Sequence, residues 1–226
     1  MKYLQITLLL FVLAACGGKA WEANMVDQLL EKYKDKPNTE ILLSDMQETS
    51  GGKFIHAYKV IGTDNKGDFH LITTVQDNNV TEGFYALHYD NLGMSIGRID
   101  SLGNKSTIVA PPGFNTVIGN PKYGEFREEN GHRVWHFFST YLFYRTLFGM
   151  GNRMIYYNHY NDYYHHYRYN RPYYGSGSGS SPSWGTKSTA TKQTHKNFYQ
   201  RSVNRSGSWQ RSYSSSSSRG GGGFGK

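Results

Sequence analysis

His159, Asp162, His165 and His166 fall close together, the densest set of side chains in the chain suited to a divalent cation. On a helix, His159 and Asp162, three apart, and Asp162 and His166, four apart, share a face that offers a metal site. Arg168 and Arg171 lie next to them and repel a cation. The tract is also low in complexity, so zinc, copper or nickel is expected to bind weakly or not at all. A second set, His56, His70 and His88, falls on predicted strands and offers an envelope hydrolase site on a sheet if those strands converge. Asp64, Asp68 and Asp77 sit in turn clusters, where Asp serves the turn first. Glu125, Glu128 and Glu129 flank Arg127 as solvated charge. No phosphate-binding Gly-rich loop or His-Glu-x-x-His pair occurs. The expectation is a protein without catalysis.

Charge divides the chain in two. Residues 1–150 carry 14 Lys and Arg against 16 Asp and Glu, whereas residues 151–226 carry 11 against Asp162 alone. Such asymmetry points the C-terminal part toward an anionic partner. The cations in question are Arg168, Arg171, Lys187, Lys192, Lys196, Arg201, Arg205, Arg211 and Arg219. Tyr173, Tyr174, Trp184, Phe198, Tyr199, Trp209, Tyr213 and Phe224 are interleaved with them. Cations with rings are the ingredients of single-strand nucleic-acid binding, but a specific nucleic acid is not expected of an exported chain. Anionic lipid or an anionic envelope polymer is.

Several elements must position these groups. Trp21, Met25, Val26, Leu29, Leu30 and Tyr33 recur at helical spacing up to Pro37, predicting a helix with one apolar face. From residue 40 to 118, short runs rich in β-formers alternate with turn residues, predicting an antiparallel meander. Within it, residues 53–61 and 69–75 form a hairpin around Asp64–Asp68, with further strands at 84–89, 94–99 and 107–109. Residues 133–150 hold Trp135, Phe137, Phe138, Tyr141, Leu142, Phe143, Tyr144 and Phe148 before Gly149. That run predicts a helix of about 16 residues, apolar nearly all round, lying over the sheet or at a lipid interface rather than spanning a bilayer. Residues 151–174 are a Tyr/His-rich segment that lacks aliphatic side chains for an ordinary core. Residues 175–226, rich in Ser and Gly, are expected to be a disordered basic tail. The fold class is α+β, with one small domain at 21–150.

The N-terminus says where this domain sits. Lys2, an apolar run over residues 4–15, then Ala14, Ala15 and the sole cysteine, Cys16, follow the layout of a secretory signal. Leu13-Ala14-Ala15-Cys16 resembles the lipobox of bacterial lipoproteins, a likeness confined to about the first 17 residues. The resemblance implies cleavage after residue 15, a diacylglyceryl group on the Cys16 thiol and an acyl chain such as palmitate on the new amino terminus. Residues 16–20 then become a lipidated spacer. Two or three acyl chains hold stably where one is marginal, at about 0.8 kcal/mol per buried methylene. Gly17, where aspartate is absent, implies the outer membrane if the host is Gram-negative. With Cys16 carrying lipid, no disulfide or thiolate site is left, and no other cofactor is expected. The remainder resembles exported bacterial proteins that belong to no named family. The reading is a lipid-anchored protein of the cell envelope whose cationic, aromatic end contacts membrane or anionic polymers.

Overall fold

The computed structural model describes residues 24–175 and 182–203. The fold is α+β. Helix α1 (Met25–Lys32) starts at Asn24, whose side-chain oxygen accepts from the Asp27 amide, and it buries Val26, Leu29 and Leu30. Strands β1 (Thr39–Glu48), β2 (Phe54–Thr63) and β3 (Phe69–Val80) form an antiparallel meander, as the turn spacing predicts. Strand β4 (Ser95–Ile99) then returns to the free side of β1 and pairs with short β5 (Lys105–Ser106), giving the order β3-β2-β1-β4-β5. Residues Thr39–Leu43 of central β1 are buried without alternation, because both faces of that strand are covered. Helix α1 seats on β4 at Gly97, where a Cβ would stand 2.8 Å from Val26.

Three expected elements differ. Residues 84–89 are not a strand: α2 (Glu82–Leu87) is a short helix whose start is fixed by Thr81 Oγ1 accepting from the Phe84 amide. The strand expected at 107–109 does not form: short β5 precedes it and an isolated bridge from Ser95 to Ala110 follows it. The long aromatic helix at 133–150 is absent. Strands β6 (Gly124–Glu129) and β7 (His132–Phe137) make a second sheet instead, followed by a single 3-10 turn and helix α3 (Tyr144–Leu147). Asn130 and Gly131, both at positive φ, form its two-residue hairpin turn. No helix among the described residues is long and apolar enough to cross a membrane.

Helix α4 (Tyr157–Arg168) follows, then α5 (Thr189–Thr194) and α6 (Lys196–Val203). Residues 182–203 are thus folded onto the domain, where composition predicts no packed structure. Trp184 and Phe198 are the reason: both are buried in the main core. Residues 176–181 and 204–226 lie outside the described residues.

Candidate functional site

Helix α4 carries the Tyr/His-rich segment, and tyrosines replace the missing aliphatic side chains. Tyr160, Tyr163 and Tyr167 recur every three or four residues and turn inward, with Tyr163 fully buried. Phe126 packs edge-on against Tyr157, and Phe114 edge-on against Tyr163. The preceding chain is hung on β7, where Trp135 donates to the Ile155 carbonyl at 2.8 Å. A core therefore exists here, built of rings. The polar side chains of α4 are left to face outward.

Asp162, His165 and His166 line a cleft of about 610 Å³ between α4 and the stretches 172–175 and 182–187. Its opposite wall is the Asp90–Lys187 ion pair, at 2.9 Å. Pro172, Tyr173 and Tyr174 form the floor. Tyr173 is tied down by its amide, which donates to the Val109 carbonyl, and Tyr174 by its hydroxyl, which donates to Asn91 Oδ1 at 2.7 Å. Burial, with the Asp90 charge added, pushes the Tyr174 hydroxyl up to about 12, so it stays a neutral donor. His166 Nδ1 lies 3.1 Å from the Pro172 carbonyl. Only a protonated Nδ1 can bond there, which leaves Nε2 as the acceptor of the neutral ring. The segment is closed over the domain by Thr186, whose amide donates to the Asp90 carbonyl and whose hydroxyl donates to the Tyr89 carbonyl. The cleft therefore combines ring edges, an acid, imidazoles and an ammonium group. It suits a polar ligand bound by hydrogen bonds.

The sequence-selected residues separate. His159 is not in this cleft. It lines a second cavity of about 220 Å³ with Phe114, Arg153, Met154 and Trp184, and burial lowers its basicity. Among the described residues no group of three or more His, Cys, Asp or Glu is placed to hold a metal ion. His56 and His88 do converge, with ring centres 6.4 Å apart, but both are buried beneath Phe84 and Tyr85, and His70 lies exposed elsewhere. Their meeting is a feature of the core.

The cations divide by role. Arg168, Arg171, Lys192 and Lys196 are exposed, and none of them enters an ion pair among the described residues. Lys187 is held by Asp90, and Arg201 by both oxygens of Asp45 at 2.7 Å. Cys16, Arg205, Arg211 and Arg219 lie outside the described residues. No family model, curated protein or solved structure matches the chain. The site must speak for itself.

Sequence reasoning missed Arg153. Its guanidinium lies over the Trp184 ring at 4.5 Å and donates to the Met150 and Ser183 carbonyls and the Thr191 hydroxyl. This one side chain fixes the segment that closes the cleft. Its place after Gly149-Met150-Gly151-Asn152 reads as a loop, and nothing in the sequence points from it to Trp184.

Proposed function

We propose that the chain is a non-catalytic binding protein of the bacterial cell envelope, held to a membrane by lipid on Cys16. Its C-terminal part engages anionic lipid or an anionic envelope polymer by charge. One observation carries the binding half of this reading: among the described residues from 168 onward, every Tyr, Trp and Phe ring but Tyr169 is buried or half-buried, while four cations are exposed. Tyr173, Trp184 and Phe198 are buried, while Arg168, Arg171, Lys192 and Lys196 stay in solvent. Those three rings are spent on packing and are unavailable to stack on bases, and the exposed ring of Tyr169 has the Arg171 guanidinium 5.8 Å from its centre. What remains at the surface is positive charge, which attracts phosphate- or carboxylate-rich surfaces without reading a sequence.

Two measurements test the reading. Mass spectrometry of the mature amino terminus, with membrane fractionation, is expected to find an acylated Cys16 and the chain in the membrane fraction; a free, unacylated chain overturns the anchor. For the partner, binding to phosphatidylglycerol vesicles is compared with binding to phosphatidylcholine vesicles across a salt series. A cation near an anionic surface contributes about 1 kcal/mol. Neutralising Arg168, Arg171, Lys192 and Lys196 to Gln should therefore weaken binding about fivefold per residue. Binding indifferent to salt and to these four residues overturns the charge reading.

A further inference from the structure

Among the described residues, strand β3 is an edge that the rest of the fold leaves open. It is 12 residues long, pairs with β2 on one side, and is the terminal strand of its sheet. Its start is covered, where the Phe69 amide donates to the Tyr144 hydroxyl at 2.8 Å. Beyond that point, Thr74, Gln76, Asn78 and Asn79 are exposed. Edges are normally guarded by lysine, proline, shortness or bulges. Phe69–Val80 contains no Lys, Arg, Pro or Gly.

Two irregularities bracket a regular window. Val60 pairs with Thr73 and Ile61 with Leu71, so Ile72 is an extra residue; likewise Asn78 and Asn79 together face the single residue Ile55. Between these bulges, Thr73–Asp77 runs in unbroken register with His56–Val60. Bulges end productive pairing. They therefore confine any added strand to five residues and fix its register.

We propose that this window pairs with the same window of a second copy of the chain, antiparallel about a two-fold axis at Val75. The sequence is self-complementary in that register. Val75 meets Val75, Thr74 meets Gln76, and Thr73 meets Asp77, so apolar faces apolar and polar faces polar. Asp77 is the only carboxylate of the strand, and it stands opposite a hydroxyl rather than its own copy. Moving the axis one residue toward the start sets Leu71 against Asp77, and centring it on Asp77 opposes two like charges, which is destabilising. A second copy thus satisfies the edge in one register, as an isologous contact requires. The two sheets would join into one.

The test uses the full chain in detergent solution, its mass followed by sedimentation equilibrium against concentration. The expected result is a two-copy mass. The double variant Thr74→Lys/Gln76→Lys sets lysine against lysine on both sides of the axis and should weaken association about tenfold or more. Thr74→Lys/Gln76→Glu sets opposite charges in the same places and should restore it. Both positions are exposed, so circular dichroism and the melting temperature should stay unchanged. Independently, Thr74→Cys/Gln76→Cys should give a disulfide-linked dimer on mild oxidation in native membranes. A one-copy mass for the unaltered chain at every concentration, a two-copy mass indifferent to the paired lysines, or no cross-linked dimer overturns the proposal.

Discussion

Glu40 and Arg98 are register partners on β1 and β4, and both are almost completely buried, at 1% and 2% exposure. The Glu40 carboxylate accepts from the Thr116 hydroxyl at 2.7 Å and the Gly113 amide at 3.1 Å. Burial raises its proton affinity, while those donors and the Arg98 charge oppose the rise. On the other side, the Arg98 guanidinium lies over the Tyr167 ring at 4.4 Å and is joined to Tyr163 and Asn115. Glu40 and Arg98 thus link the central sheet to the helix that forms the cleft.

Removing the guanidinium takes away the charge that offsets the burial of Glu40. Arg98→Met should cost about 3–5 kcal/mol, the usual penalty for breaking a buried charge arrangement. Glu40→Gln should cost only about 1–2 kcal/mol, since the amide oxygen still accepts from Thr116. Urea unfolding of both variants and of the double variant gives the coupling directly. Equal costs for the two single changes would show that the guanidinium is not held by this network.

The His56–His88 pair makes stability depend on pH. Burial, with His88 nearby, lowers His56 to about 3, and burial lowers His88 to about 4. In the unfolded chain both return to near 6.5. The folded state therefore resists protons that the unfolded state accepts. Full stability holds above about pH 6.5 and is lost progressively as pH falls toward 4 and 3. At pH 5 the loss is on the order of 2 kcal/mol per ring. Chemical denaturation between pH 8 and pH 4 (roughly the titration range) checks this, with His56→Phe/His88→Leu expected to flatten the profile. A wild-type curve equally flat would contradict it.

Much of the central sheet was legible because its turns carry their own chemistry. Asp64, with Asp68 closing the loop, marks the β2–β3 hairpin, and the spacing of Met25, Val26, Leu29 and Leu30 marks α1. The aromatic run after residue 132 reads equally as helix or strand, since ring content alone does not separate them, and the Asn130-Gly131 turn decides for a hairpin. Thr81-Glu82 likewise signalled a helix cap within an apolar stretch. The folded 182–203 segment was hidden for a different reason. Two buried rings in a Ser/Gly-rich background barely alter composition, yet they supply the anchoring. For the site, Asp162, His165 and His166 were visible from type and spacing. Asp90, Lys187 and Tyr174 were not, because their convergence depends on tertiary folding across some 80 residues of chain.

The β6–β7 turn offers a test free of packing effects. A Cβ at Gly131 would meet nothing within 4 Å, yet the residue holds φ at +76°. Gly131→Ala should therefore cost about 1–2 kcal/mol from backbone strain alone. Gly131→Asn should cost less, because asparagine tolerates this region. Melting temperatures in the order Gly, Asn, Ala would bear this out, and an unchanged alanine variant would not.

What holds residues 182–203 against the domain is decided by magnitude. The Arg201–Asp45 ion pair is partly exposed, at 35% and 42% for the two side chains, so Arg201→Ala should cost at most about 1 kcal/mol. Trp184 is buried against Phe114, with Arg153 over its other side. Its removal should cost about 3–5 kcal/mol, the range for a large ring lost from a core. Hydrogen exchange across 182–203 separates the two contributions. Trp184→Ala should expose the Thr186 and Lys192 amides and open the cleft, whereas Arg201→Ala should leave them protected. If the arginine change freed the segment as thoroughly as the tryptophan change, charge rather than burial would be holding it.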